Sequence, residues 1–190
     1  MDAAAVPVVE TDRLRLRGPT TADARIWASF LETDPDFIQY VPARPGGAFL
    51  ERAERLVRAE LQRWDDSLSM GWAVGLKSDD EFIGFTGVDH VGETDGEIEY
   101  FLVRPHWRRG YASEIAKAVT DYWFHTTDGQ RMVAYVIPEN IGSVRAVEKV
   151  GYKRTRSVNY LDLMGNPAGV VLNTPIADEF WLTRDEWLQR

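Results

Sequence analysis

The stretch RPHWRRGYASE (residues 104–114) lies between a predicted strand that ends at Val103 and a long predicted helix. The first backbone N–H groups of a helix have no acceptor within the helix, and they favour an anion beyond its start. Gly110 lets the backbone approach a ligand because it has no Cβ, and Arg108 and Arg109 add positive charge that suits phosphate. The stretch therefore predicts a pyrophosphate-binding loop, although a solvated basic connection between strand and helix fits the same residues.

The spacing of apolar residues predicts a strand and two helices near the start of the chain. RLRLR (13–17) alternates apolar and charged residues, which is typical of a strand. TTADARIWASFLE (20–32) is predicted to be a helix, with Thr20 or Thr21 placed to cap it. AFLERAERLVRAELQRW (48–64) has the apolar face of a second, amphipathic helix.

Three β-rich runs predict an antiparallel meander before the loop, and alternating elements follow it. The meander strands are 71–77, 82–91 and 97–103, and the later elements are a helix (111–126), a strand (131–137), a helix (138–151) and a hairpin of 152–163 with 169–183. This order predicts an α+β (mixed α/β) fold in which helices cover a mostly antiparallel sheet.

Length and composition narrow the class of protein. The 190 residues predict a single domain spanning residues 1–190. The absence of cysteine excludes disulfides and thiolate metal ligands, and three widely spaced histidines predict no metal site. A net charge of −8 argues against a nucleic-acid partner and fits an amine partner. No signal peptide or membrane-spanning stretch is visible, so we expect a cytoplasmic protein with no membrane partner.

The loop resembles a known family once its neighbours are considered. WRRGYASE (107–114) is similar to the acyl-CoA-binding loop of the GNAT N-acetyltransferase superfamily, and most similar to its ribosomal-protein (RimJ/RimL) type, although Arg108 stands where that type often has glycine. Further segments resemble the same type in the same order. They are TDRLRLR (11–17), GEIEYFLVRPHW (96–107), PENIGSVRAVEKVGY (138–152) and FWLTRDEW (180–187).

The resemblance implies a GNAT fold with a splayed pair of parallel strands inside the mostly antiparallel sheet. It implies acetyl-CoA as co-substrate, no metal, and direct attack by a primary amine in a ternary complex. That amine would be a protein N-terminal α-amine or a small molecule, and the protein could be a homodimer. The implied cofactor-binding residues are Phe101, Leu102, Val103, Arg108, Arg109, Gly110, Tyr111, Ala112, Ser113, Asn140 and Ser143. A backbone N–H near Leu102 or Val103 would stabilise negative charge on the thioester oxygen.

The resemblance also implies candidate catalytic side chains. Glu97 matches the glutamate of the family's strand and is the preferred base, and Glu99 lies on the same strand face as the second choice. Both could instead be solvated surface residues. Ser143 is the candidate proton donor to the leaving thiolate, because Val147 stands where many members carry a tyrosine; a local backbone bond is the structural alternative. Asn140 would bind pantetheine or cap a helix.

The sequence also fits two other functions. The chain could be a non-catalytic acyl-CoA-binding or regulatory domain of the same fold, or an interaction protein with a Trp-rich surface. The acceptor site is expected between residues 27–64 and 159–171. Acidic residues would suit it to a cationic acceptor, namely Asp34, Asp36, Asp89, Glu97 and Glu99.

Overall fold

The computed structural model describes residues 6–34, 50–51, 53–55, 57, 69–163 and 175–190. The strands are β1 (Val9–Glu10), β2 (Leu14–Arg17), β3 (Ser69–Leu76), β4 (Phe82–Val91), β5 (Asp95–Leu102), β6 (Arg131–Val136), β7 (Lys153–Asn159) and β8 (Ile176–Thr183). The helices are α1 (Thr21–Thr33), α2 (Tyr111–Thr126), α3 (Ile141–Val150), α4 (Tyr160–Leu163) and α5 (Arg184–Leu188), with a 3-10 turn at Arg104–His106. The described residues between 50 and 57 are also helical.

The strands form one sheet in the order β1-β2-β3-β4-β5-β6-β8-β7. Neighbouring strands are antiparallel except β5 and β6, which are parallel. That parallel pairing runs only from Asp95 to Glu97 on β5 and from Arg131 to Val133 on β6. Because the pairing stops there, a gap separates the remaining residues of the two strands. The predicted fold class and the splayed parallel pair are therefore confirmed.

Alternation along β5 directs its side chains into two layers. Ile98 and Leu102 are buried in the core between the sheet and helices α2 and α3. Glu97, Glu99 and Phe101 lie on the opposite face, where Phe101 packs against the core beneath α1. The two candidate carboxylates consequently face the side of the sheet that α1 covers.

The ends of the helices follow the local sequence signals. The Thr20 side chain accepts a hydrogen bond from the Asp23 N–H, and the Asp23 carboxylate accepts one in return from the Thr20 N–H, which forms a capping box at α1. Helix α3 begins after Asn140 and ends at Gly151, whose φ of 96° is left-handed. The helix predicted at 111–126 begins and ends at the residues expected, as α2.

The final hairpin differs from its prediction in one element. β7 and β8 pair antiparallel as expected, but residues 160–163 form a helical turn instead of continuing the strand. The turn is favoured because the Asn159 side chain accepts a hydrogen bond from the Leu161 N–H, and the Tyr160 N–H donates to the Pro175 carbonyl. The predicted hairpin turn at 164–169 and most of the predicted helix at 48–64 lie outside the described residues.

Candidate active site

The gap between β5 and β6 opens into a cavity of about 930 Å³. One wall is β5 from Glu97 to Leu102, and the facing wall is β6 and the start of α3. The loop before α2 lines one part of the cavity, and Tyr160 lines another part, beside Glu97. The cavity therefore joins the predicted anion-binding loop to the predicted catalytic carboxylates.

The start of α2 presents free backbone donors to this cavity. Gly110 is the N-cap residue in a left-handed conformation, with φ of 81°, and it provides no side-chain cap. The first N–H groups of the helix, at Tyr111, Ala112 and Ser113, have no acceptor within the helix, and all three residues line the cavity. Arg108 also lines it and has a positive φ of 60°. This arrangement can hold an anion at the helix N-terminus.

An ion-pair network fixes this loop to the first strands, and sequence reasoning did not predict it. The Arg13 side chain donates to the Arg109 carbonyl at 3.0 Å and to Glu114 Oε2 at 2.7 Å. Glu114 also accepts from the Thr11 hydroxyl at 2.5 Å and from the Arg13 N–H at 3.0 Å. The guanidinium lies 4.5 Å from the centre of the Tyr111 ring. Arg109 thus contributes its carbonyl to the network that holds the loop.

The two predicted backbone donors at the end of β5, Leu102 and the following Val103, are not equivalent. The Val103 N–H donates to the Ile83 carbonyl at 2.9 Å, so it is not available to a thioester oxygen. Because hydrogen bonding alternates along an antiparallel strand, the N–H of Leu102 points away from β4 and into the gap. The Trp107 indole N–H donates to the Leu102 carbonyl at 2.6 Å, which holds the strand end in place. Of the two N–H groups, that of Leu102 faces the cavity.

Glu97 and Glu99 lie beside each other and share one hydroxyl group. The Tyr160 hydroxyl donates to Glu97 Oε1 at 2.8 Å and lies 3.5 Å from Glu99 Oε1. Burial raises the pKa of Glu97 to about 7; the hydrogen bond from Tyr160 opposes this rise, and the charge of Asp89 adds to it. Burial, together with Glu99 and Glu97, raises the pKa of Tyr160 well above its ordinary value, so it is a neutral donor. A carboxylate with a pKa near 7 is suited to accept a proton at neutral pH.

Ser143 and Asn140 lie together at the start of α3. The Asn140 side chain accepts from the Ser143 N–H at 3.2 Å, so the helix-capping role expected for Asn140 is present. Both residues line the cavity. The Tyr100 hydroxyl donates to the Ser143 carbonyl at 3.3 Å, and burial raises the pKa of Tyr100 to about 12. Val147, on α3 itself, is fully buried.

Several residues that line the cavity were not among the predicted site residues. Tyr160 is 63 residues from Glu97, and no motif links the two. His106 is buried, and its Nδ1 has no hydrogen-bond partner among the described residues. Arg145 and Lys149 line the cavity from α3. Their four-residue spacing, which places both on one helix face, was the signal that could have identified them.

The predicted acceptor residues lie in different settings. Asp89 pairs across the sheet with Glu97. Asp34 forms an ion pair with Arg104 at 3.5 Å. Asp36 lies outside the described residues. Within the described part of the chain, no group of three or more histidine, aspartate or glutamate residues is placed to hold a metal ion. None of the described helices is both long and apolar enough to cross a membrane.

Comparisons with known proteins agree with this geometry. A family model described as an acetyltransferase (GNAT) domain matches residues 13–153. The uncharacterized protein YkkB of Bacillus subtilis is 32% identical, over 78% of this chain and 86% of YkkB. The uncharacterized N-acetyltransferase p20 of Bacillus licheniformis is 30% identical, over 76% of this chain and 81% of p20. The structure of Mycobacterium smegmatis RimJ in complex with CoA-disulfide covers 95% of this chain and 89% of RimJ, with a TM-score of 0.78 and 17% identity.

The family match identifies an acyl-CoA-dependent acetyltransferase, and the splayed sheet and the open helix N-terminus are consistent with that class. The chain belongs to the GNAT acetyltransferase family. The predicted enzyme class is confirmed, and so is the expectation that RimJ/RimL-type acetyltransferases share the fold.

Proposed function

We propose that this enzyme transfers the acetyl group of acetyl-CoA to a primary amine by direct attack in a ternary complex. One observation carries the proposal: the uncapped start of α2, the gap between β5 and β6, and the partly buried Glu97 all line the same cavity. An anion site and a base at opposite parts of one cleft suit a long anionic donor and an amine acceptor.

The residues present fit acetyl-CoA. The N–H groups of Tyr111, Ala112 and Ser113 would hold the pyrophosphate together with Arg108, because Gly110 leaves them without a side-chain cap. The free edges of β5 and β6 would pair with the amides of the pantetheine arm. The Asn140 amide N–H₂ group would donate to the same arm while its oxygen caps α3.

The chemistry follows from three groups of this chain. Acetyl-CoA, when bound, supplies the acetyl group as a thioester. The Glu97 carboxylate would take a proton from the acceptor ammonium group, directly or through water, which frees the lone pair that forms the new C–N bond. The Leu102 N–H would donate to the acyl oxygen as it gains charge. The Ser143 hydroxyl would pass a proton to the sulfur as the C–S bond breaks, and it would regain one from the amine nitrogen, which loses its second proton as the amide forms. Glu99 is the second candidate for the base.

The acceptor is proposed to be a primary amine, either a protein N-terminal α-amine or a small molecule. Negative charge beside the gap supports a cationic acceptor, because Glu97, Glu99 and Asp89 lie there on neighbouring strands. These carboxylates would attract an ammonium group and keep it near the base.

A panel of amines and short peptides, assayed for release of free CoA thiol from acetyl-CoA, tests the proposal. We expect turnover with at least one amine and stoichiometric acetylation of that amine by mass spectrometry. If acetyl-CoA binds in calorimetry but no member of a broad panel accepts the acetyl group, a CoA-binding regulatory domain becomes the better account. If acetyl-CoA does not bind, both of these functions are excluded.

A further inference from the structure

The hydroxyl of Tyr160 is placed to control the candidate base. It donates to Glu97 Oε1 at 2.8 Å and lies 3.5 Å from Glu99 Oε1, so it bridges the two carboxylates on β5. We infer that Tyr160 is a positioning residue for acetyl transfer: its hydroxyl orients the Glu97 carboxylate and stabilises the ionised form that accepts the proton. This inference rests on the proposed function, in which Glu97 is the base.

The fold holds the Tyr160 phenol in position from two directions. Its backbone N–H donates to the Pro175 carbonyl at 2.7 Å, which ties the start of α4 to the segment that leads into β8. Its ring packs beside the Tyr135 ring on β6, with 5.4 Å between the ring centres. A donor whose backbone and ring are both fixed can orient its acceptor without first losing much conformational freedom.

The other titratable groups near Glu97 do not supply a hydrogen bond that stabilises its ionised form. Among the described residues, the titratable groups that face Glu97 are Asp89 on β4, Glu99 on β5, Tyr135 on β6 and Tyr160 on α4. Asp89 and Glu99 are carboxylates, so in their ionised forms they disfavour a further negative charge. The Tyr135 hydroxyl donates instead to Glu179 Oε1, at 3.4 Å. Tyr160 therefore supplies the hydrogen bond that favours ionised Glu97.

Loss of this hydrogen bond would shift the pKa of Glu97 in a predictable direction. Burial already raises the pKa of Glu97 to about 7, and the bond from Tyr160 acts in the lowering direction. A hydrogen bond made to the charged form of an acid favours that form, so its removal raises the pKa further. Without Tyr160, most Glu97 side chains would hold a proton at neutral pH and could not accept another.

The direct test is a titration of Glu97 in the Tyr160→Phe variant. ¹³C NMR of labelled glutamate carboxyl groups follows each midpoint, and the signal that disappears in Glu97→Gln identifies Glu97. We expect the Glu97 midpoint to rise by roughly one pH unit in Tyr160→Phe, as for a hydrogen bond to a charged group. Tyr135→Phe is the matched control, because it removes a neighbouring phenol that bonds to Glu179; its Glu97 midpoint should stay at the wild-type value.

Kinetics separate failure of this inference from failure of the proposed function. With an acceptor in hand, Tyr160→Phe should shift the acidic limb of kcat/KM upward by the same amount and recover most of its rate at high pH. An unchanged Glu97 midpoint, or an equal shift in Tyr135→Phe, would overturn the role of Tyr160. A shifted midpoint in a protein whose acetyl transfer is unaffected by Glu97→Gln would overturn the base assignment and, with it, the positioning role. Thermal unfolding of each variant verifies that it is folded.

Discussion

Glu97 is a carboxylate in surroundings that favour its protonated form. It is partly buried on β5, it lies across from Asp89, and its pKa is raised to about 7. At the scale of single residues, Glu97 lies across from Asp89 and 2.8 Å from the Tyr160 hydroxyl, whereas Glu99, on the same face, lies across from Gly87 and 3.5 Å from that hydroxyl. The distinction gives the two glutamates different expected behaviour when each is replaced.

Replacement of each glutamate by glutamine tests this assignment. We expect Glu97→Gln to lower kcat by about 10²-fold or more, the usual loss for a general base, while calorimetry shows nearly unchanged affinity for acetyl-CoA. Because the carboxylate must be ionised to accept a proton, wild-type kcat/KM should fall about tenfold per pH unit below about 7. Glu99→Gln should retain this acidic limb. A larger loss in Glu99→Gln, or a limb that persists in Glu97→Gln, would reassign the base.

At the scale of elements, the start of α2 is specified by its own sequence. A left-handed Gly110 ends the preceding loop and begins the helix without a side-chain cap. This leaves its first N–H groups without a side-chain cap, so the predicted anion site at this turn stays a prediction that binding can test. A Cβ added at Gly110 would make an ordinary van der Waals contact with Arg13 Nη2, at 3.5 Å. A substitution there therefore changes charge and backbone preference more than packing.

The Gly110→Asp variant tests the anion site. A carboxylate beside the open N–H groups would compete with and repel a pyrophosphate, so we expect acetyl-CoA binding to be lost in calorimetry. Gly92→Asp is the matched control, because Gly92 also has a positive φ, of 64°, and an added Cβ there meets nothing within 4 Å. An aspartate at position 92 would adopt the same left-handed backbone conformation, but Gly92 is not among the residues that line the cavity. Equal affinity in the two variants would contradict the loop assignment.

Glu114 gives a second prediction at this scale, since it connects the start of α2 to the first strands. Glu114→Gln weakens the charged bonds to Arg13 and loosens the loop, so we expect the dissociation constant for acetyl-CoA to rise about tenfold. Lys117→Gln is the control on the same helix, because its ion pair with Asp121 is exposed and worth little. Wild-type affinity in Glu114→Gln would show that the network supports folding alone.

Sequence signals predicted the elements better than their contacts. The alternation in β5 and the cap of α1 depend on neighbouring residues, and both are present as predicted. The choice between Leu102 and Val103 depends on which edge of β5 pairs with β4, and alternation alone does not reveal that edge. The bond between Tyr160 and Glu97 joins residues 63 positions apart, so it is visible only in the folded chain.

At the scale of the whole molecule, we propose that residues 1–190 unfold as one domain stabilised by its co-substrate. Acetyl-CoA at about 100 times its dissociation constant should add about 2.7 kcal/mol to the free energy of unfolding. For a chain of this size, that raises Tm by roughly 5–10 °C. Calorimetry should show one transition that moves as a unit. Two transitions, of which acetyl-CoA shifts one, would contradict a single domain.

The proposed function requires that acetyl-CoA lie in the gap between β5 and β6. A crystal structure of the enzyme with acetyl-CoA tests this most directly. We expect the pyrophosphate at the N–H groups of Tyr111, Ala112 and Ser113, the pantetheine arm between the two strands, and the thioester oxygen at the Leu102 N–H. Acetyl-CoA bound elsewhere, or a structure in which β5 and β6 remain paired beyond Glu97 and close the gap, would contradict it.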